Sequence, residues 1–479
     1  MRAPRDLDRR LPVEFTSVSS VDGPLLIVDR PSDVGWDESV TITMPSGETR
    51  HGVVVDVEAD RAVVEVFEGT GGVGTGDNRI VFAGEPLTIS VSDRWLGRVC
   101  NGRGEPVDGG PPVLGGTLRA VNGAPINPAK RDVPLDPIMT GVSVIDALTT
   151  LVRGQKLPIF SVGGLPHLEL ATQIAAQAHV GDSTLVVVFA GMGITHADAS
   201  IVRSALGDRV AAGEAVLFLN TADDPVMERI LTPRLALTVA EHLAFDLDRH
   251  VLVVLTDMTA YCDAVRQLSS ARGEIPSRRG FPGYLFTDLA SIYERCGRLR
   301  GRPGSITEVP VLTMPSGDIT HPVPDLTGYI TEGQILLDAD LHAKGIYPPV
   351  DALSSLSRLM RRGAGPGRTR EDHLDVAAQL VSMRSQARQA QDLAELIGMD
   401  ALSVTERRYL EFAGEFERRL IDQGRAENRS LDDTLNRVWD VLSGMPQREL
   451  TMIAPTYVER YHHGGFTGSA GGRDGGRSR

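Results

Sequence analysis

A chain of 479 residues, 41% hydrophobic and 23% charged, has the composition of a globular protein. It is long enough for about two to four domains. Its formal net charge of −14 excludes general nucleic-acid binding through a basic face and leaves room for basic protein partners. No apolar run approaches the ~20 residues that span a bilayer, and the mixed-charge start Met1-Arg-Ala-Pro-Arg-Asp-Leu-Asp8 lacks the apolar core of a signal peptide. Direct membrane insertion is therefore not expected.

Residues 1–83 read as a small β-barrel. Val40-Thr-Ile-Thr-Met44 alternates and Pro45-Ser-Gly47 turns. Gly52–Glu58 and Ala62–Phe67 follow, split by Ala59-Asp-Arg61. Short strands at this spacing suit a closed barrel, which leaves no exposed edge. An oligonucleotide-binding barrel would need interleaved basic and aromatic side chains, and this segment is acidic. From about 84 to 140 the chain is rich in Gly and Pro, as in Leu96–Gly110, and reads as an ordered string of turns.

The central segment alternates strands and helices. Strands are expected over Leu157–Val162, Thr184–Ala190, Ala215–Asn220 and His250–Asp257, and helices over 166–179, 195–206, 223–246 and 259–273. Thr232-Pro233 reads as a cap and first turn restarting a helix. This alternation implies a mostly parallel sheet covered on both faces. Gly163 and Gly164 join the first strand to its helix, with Pro166 at the helix start. Strand, glycine turn and helix N-terminus together make the architecture of a phosphate-binding loop. The residues that do chemistry in such a loop are a lysine for the β- and γ-phosphates and a hydroxyl for magnesium. Here Leu165 and Pro166 follow Gly164. Asp257, ending an apolar strand, stands where a magnesium-assisting acid falls in phosphate-loop enzymes, but Thr256 or Asp257 equally suits the cap of the helix bearing Tyr261, Val265 and Leu268.

Two proline-rich irregular stretches follow, Glu274–Gly283, with Arg278 and Arg279, and Met314–Asp325. They read as interface loops or plain surface loops. Beyond Ser354 the pattern is helical. Thr369 with Asp372 reads as a capping box before Leu374, Ala377 and Val381. Tyr409, Phe412 and Phe416 form a second stripe. Ser430 with Asp433 precedes a third, of Leu435, Val438 and Leu442. Residues 464–479 are Gly-, Ser- and Arg-rich and read as disordered, and His462-His463 as part of that tail rather than a metal site. Cys100, Cys262 and Cys296 are too scattered for a metal site or disulfide framework, and fit buried reduced thiols in a cytosolic protein.

Several stretches, in this order, carry a family resemblance: Gly154-Gln-Lys-Leu-Pro-Ile-Phe-Ser161, Leu165-Pro-His167, Ala222–Ile230, Thr232–Glu241, Leu255-Thr-Asp-Met-Thr259, His321–Gln334 and Ser355-Leu-Ser-Arg-Leu-Met360. From about Glu14 to Tyr461 the chain resembles the B subunits of the A/V-type rotary ATPases. The resemblance implies an N-terminal β-barrel (1–83), a central RecA-like α/β nucleotide-binding-type domain with a degenerate phosphate loop (84–358) and a C-terminal helical bundle (359–462); beyond it composition gives the disordered Gly/Arg tail (463–479). It implies three copies alternating with three catalytic A subunits around a central rotor stalk, braced by peripheral stalk subunits, on the cytoplasmic face of a membrane. The ring would couple ATP synthesis or hydrolysis to ion transport, the proton being the expected ion.

The resemblance also implies roles for residues. Arg358 matches the arginine that reaches into the neighbouring A subunit, where ATP or ADP with magnesium would bind; Leu356 and Ser357 would position it. From spacing alone, a surface ion pair near Arg361 and Arg362 is the favoured reading of Arg358; the resemblance turns the preference to the arginine finger. Gly163, Gly164, His167, Asp257 and Tyr329 would mark a weak or vestigial nucleotide or interface site, with no cofactor required by this chain and no metal. Arg278 and Arg279 would face the rotor. Family members usually carry Gly-Ser-Gly where this chain has Val162-Gly163-Gly164, Asn at Leu168 and Pro at Ser354. The alternative readings are a self-sufficient hexameric phosphate-loop ATPase motor, which Leu165-Pro166 opposes, and a hexameric RNA translocase, which the acidic charge opposes.

Overall fold

The computed structural model describes residues 11–464 except 17, 30–32, 59 and 182. The chain forms two compact units. One holds residues up to Leu135 together with Arg153–Gln334, and the other Asp136–Val152 with the chain from Ile335 onward. The tail over 465–479 lies outside the described residues.

The first unit begins with a seven-stranded antiparallel sheet. Its strands are Val13–Phe15, Val18–Asp22, Leu25–Asp29, Glu38–Thr43, Thr49–Val57, Arg61–Val66 and Arg79–Pro86. The first two are consecutive in the chain yet lie at opposite ends of the strand order. All seven send side chains to a single core, among them Phe15, Val18, Leu26, Val40, Val54, Val64 and Phe82. One sheet sharing one interior is rolled, as a small barrel requires.

The rest of this unit is a parallel sheet with helices. Its strands run in the order Ile159–Ser161, Ser305–Thr313, His250–Thr256, Leu185–Ile194, Ala215–Thr221, Val99–Asn101. Leu185 pairs with His250 and Thr256 with Val311. The inner strands are nearly continuous runs of Val, Leu and Phe because both sheet faces are covered. The turn-rich segment before this domain is more structured than its glycines suggest. It contributes Val99–Asn101 to the sheet edge, and Thr88–Val91 pairs with Thr117–Ala120. The helix Val226–Glu241 runs through Pro233 rather than restarting there. Proline costs it one backbone bond. The helix is buried nearly all round, and the Thr232 hydroxyl donates to Glu228 O at 2.7 Å, so packing carries it past the defect.

In the second unit, helices His373–Ile397, Val404–Phe416 and Leu431–Leu442 bury Leu380, Met383, Phe412, Phe416, Leu435, Val438 and Leu442. Ser430 caps the last of these by accepting from the Asp433 amide. The expected capping box at Thr369 does not form. Its hydroxyl accepts from the Gly365 amide at 2.7 Å and meets the His373 ring at 3.0 Å. Asp372 is instead the hub of this core: burial pushes its carboxyl up, but the Arg370 fork and the Trp439 indole N–H outweigh that and hold it below the usual range. The helix therefore starts one residue after Asp372. Its buried face falls on Val376, Ala377, Leu380 and Met383, leaving Val381 exposed. His462 and His463 are fastened to this unit rather than to the tail. The His462 ring lies 3.0 Å from Met445 O and the His463 ring 3.1 Å from Asp440.

Candidate functional site

The site lies at the C-terminal ends of the parallel strands, where open α/β sheets bind ligands. Register brings three chain ends together there. Ser161 pairs with Thr313, and Thr256, next to Asp257, pairs with Val311. The Met314 amide donates to Ser161 O at 2.7 Å. Thr313 thus stands between the glycine loop and Asp257.

The glycine loop closes on itself. Gly164 has φ +91°, a conformation that disfavours other residues, and both glycines sit at an exposed tip. The Leu165 amide donates to Val162 O at 3.2 Å and the His167 amide to Leu165 O at 2.8 Å. The Leu165 side chain is buried, and Pro166, which has no amide hydrogen, stands immediately before the helix His167–Gln177. The His167 ring nitrogen Nδ1 lies 2.9 Å from Leu165 O and 3.3 Å from the Ser161 hydroxyl, so His167 braces the turn. In a working phosphate loop these amides would point at the anion. Here two are spent inside the turn, and Leu168, Ala171, Ala175 and Ala178 are buried.

Asp257 caps the helix Met258–Ala271. Its carboxylate accepts from the Thr259 amide and the Thr313 hydroxyl, each at 2.6 Å. The Thr259 hydroxyl in turn donates to Thr313 O at 2.7 Å. Burial pushes the Asp257 carboxyl above the usual carboxylate range, against the pull of the Thr313 and Thr259 hydrogen bonds. A magnesium nucleotide does not fit this constellation. The loop has no lysine or hydroxyl at the required positions, and the acid is committed to its neighbours. Among the described residues no cluster of His, Cys, Asp and Glu could hold a metal ion. Thr313 is the participant that sequence reasoning missed; its signal is the Leu-Thr-Met ending the strand Ser305–Thr313.

The two proline-rich loops brace each other. Arg278 pairs with Asp325 at 3.2 Å and donates to Thr320 O at 3.0 Å, and Arg279 pairs with Asp318 at 2.6 Å. The exposed arginines are therefore engaged within the chain. His321 caps the helix Pro322–Ile330, and Tyr329 near the end of that helix is 76% exposed. Tyr329 thus lies on a separate element from Gly163, Gly164, His167 and Asp257.

In the second unit, Arg358 is an exposed side chain between the short strand Leu356–Ser357 and the helical turn Met360–Gly363. Its approach is fixed by hydroxyls. Ser355 accepts from the Leu336 amide at 2.9 Å, and Ser357 donates to Thr150 O at 3.2 Å. Leu356 is 44% exposed.

Three family models cover most of the chain. Residues 18–82 match the β-barrel domain of the ATP synthase alpha/beta family, 141–357 its nucleotide-binding domain, and 362–462 the C-terminal domain of V and A type ATP synthase. The chain therefore belongs to the ATP synthase alpha/beta family. The B subunit of the A-type ATP synthase from Aeropyrum pernix is 51% identical over 451 residues, covering 94% of this chain and 97% of that protein. The solved structure of the ATP synthase subunit NeqB from Nanoarcheaum equitans is 38% identical, with a TM-score of 0.69 over 88% of this chain and all of that one. Within the family the chain falls among the B subunits of the A/V-type ATP synthases. Among the described residues no helix is long and apolar enough to cross a membrane.

Proposed function

We propose that this chain is the non-catalytic, regulatory subunit of a rotary A/V-type ATP synthase. Three copies alternate with three catalytic A subunits around the central rotor stalk, with peripheral stalk subunits outside, on the cytoplasmic face of a membrane. ATP or ADP with magnesium binds at the A-subunit interface. This chain needs no nucleotide of its own, and the assembly couples ATP turnover to ion movement, with the proton as the ion. Each copy lends Arg358 to a neighbouring A site. A guanidinium is always charged and offers a planar donor fork for a transferring phosphoryl group.

The observation that carries this reading is the loop at 162–167, which has the position of a phosphate loop without its cation or its magnesium ligand and with the Leu165 and His167 amides bonded inside the turn. The test is reconstitution with the A-type partner. Arg358→Ala is expected to leave the ring assembled and to lower turnover by about 10³-fold or more. Unchanged turnover in an assembled ring contradicts the role. Robust hydrolysis by the chain alone favours the self-sufficient motor instead.

A further inference from the structure

Away from the nucleotide-type site, the first unit holds two adjoining cavities of about 560 and 420 Å³. They share Trp36, Val55, Arg272 and Glu274 as lining, so they adjoin in one crevice. The larger is walled by barrel strands Thr49–Val57 and Arg61–Val66 and by helices Val226–Glu241 and Met258–Ala271. Glu65 lines it while only 1% exposed. One Glu65 oxygen, Oε2, accepts from Arg272 at 3.1 Å; the other, Oε1, is buried with no hydrogen-bond partner. A buried carboxylate oxygen left unpaired has lost its hydration without compensation, which a donor from a ligand would relieve.

The lining is acidic and aromatic. Asp37, Glu65, Glu274 and Asp288 outnumber Arg234 and Arg272 in the larger cavity. Asp22, Asp56 and Glu58 outnumber Arg61 and Arg272 in the smaller, which also contains the shared Glu274. Asp288 is already satisfied by Arg234 at 2.5 Å and the Tyr261 hydroxyl at 2.7 Å, whereas Glu65 is a buried carboxylate with an open oxygen. Trp36, 65% exposed, and Tyr284, 40% exposed, add aromatic rings to the lining, which attract cations. A divalent metal wants six or more oxygens converging on one point. Here the acids are divided between two cavities, and Val53, Val55 and Met227 are part of the same lining. A lining of both acids and apolar side chains matches charges separated by methylenes.

We propose that this crevice binds a linear aliphatic polyamine, one ammonium donating to Glu65 Oε1 and the methylene spacers lying along Trp36 and Tyr284. Burial raises Glu65 to about 7, with Arg272 pulling it down and Glu274 pushing it up. Asp37, Arg234 and Asp288 face the same cavity. An incoming ammonium favours the ionised form, so binding releases a proton and tightens as pH rises from about 6 to 8.

The experiment is calorimetric titration of spermidine into the full-length chain at physiological salt. One saturable site is expected. Glu65→Gln should weaken it about tenfold or more, and Trp36→Ala about two- to fivefold. Trp36 is exposed, so its variant keeps the test decisive if Glu65→Gln unfolds the chain. No binding overturns the proposal. So does saturable binding that both variants leave unchanged, or a salt-sensitive, non-saturating heat that reflects counter-ions on an acidic surface.

Discussion

The glycine loop at 162–167 and the Arg358 segment at 355–360 handle polar groups in opposite ways. The loop turns two amides and its histidine inward: Leu165 N–H meets Val162 O, His167 N–H meets Leu165 O, and the His167 ring closes on Leu165 O and Ser161. The Arg358 segment ties down its small neighbours, Ser355 and Ser357, and leaves the arginine at the surface. A self-satisfied loop has little left for a ligand, whereas an arginine on a fixed stem presents its charge at the surface. The contrast fits a subunit that serves a neighbour's chemistry rather than its own.

The largest effect that sharpens this contrast lies within the arginine cluster. In the reconstituted complex, Arg358→Lys is expected to cost about 10²-fold or more in turnover, because an ammonium lacks the fork. Arg361→Lys and Arg362→Lys should stay within about twofold. Equal losses at all three, measured by steady-state hydrolysis, break the assignment to Arg358.

Next comes a pH effect on the central sheet. Glu308 is fully buried beside Lys156, neither of its oxygens has a hydrogen-bond partner, and burial raises it to about 8. Because its folded value lies above its unfolded one, the native state holds the extra proton between about pH 4.5 and 8. Stability therefore falls as pH rises through that window, by on the order of 1 kcal/mol per unit at most. Glu308→Gln should flatten this decline in denaturant titrations; an unchanged slope shows that Glu308 is ionised throughout.

Asp257→Ala should lower stability by about 1–2 kcal/mol through loss of the cap and the Thr313 bond, with turnover of the complex nearly unchanged. A turnover loss with intact stability would return Asp257 to a magnesium role. The smallest effect separates the two glycines. Gly164→Ala should cost about 1 kcal/mol for its positive φ, and Gly163→Ala a few tenths, since no heavy atom lies within 4 Å of its added methyl.

What was legible in the sequence follows from physical pattern. The Val/Leu strand His250–Thr256 ends in an acid that caps the next helix, and hydrophobic periodicity located the helix that follows the glycine loop. The central strand Ser305–Thr313 was hidden because it carries Glu308, buried yet charged in type, and Pro310, which argues against an inner strand. Without that strand Thr313 had no place, so its link between the loop and Asp257 was invisible. The Thr369 box failed for a related reason: Asp372 looked like a local cap, and only tertiary packing revealed Arg370 and Trp439 as its partners. Likewise the pairing of Arg278 and Arg279 with Asp325 and Asp318 spans some forty residues of chain, which no local pattern encodes.

The most direct test of the central claim is titration of magnesium-ATP into the purified chain alone, followed by calorimetry and phosphate release. No hydrolysis is expected, and no gain of hydrolysis when Leu165→Lys and Pro166→Thr restore the missing residue types, because the amides at 165 and 167 remain bonded inside the turn and Asp257 remains committed to Thr259 and Thr313. Magnesium-dependent hydrolysis by the unmodified chain would contradict that claim.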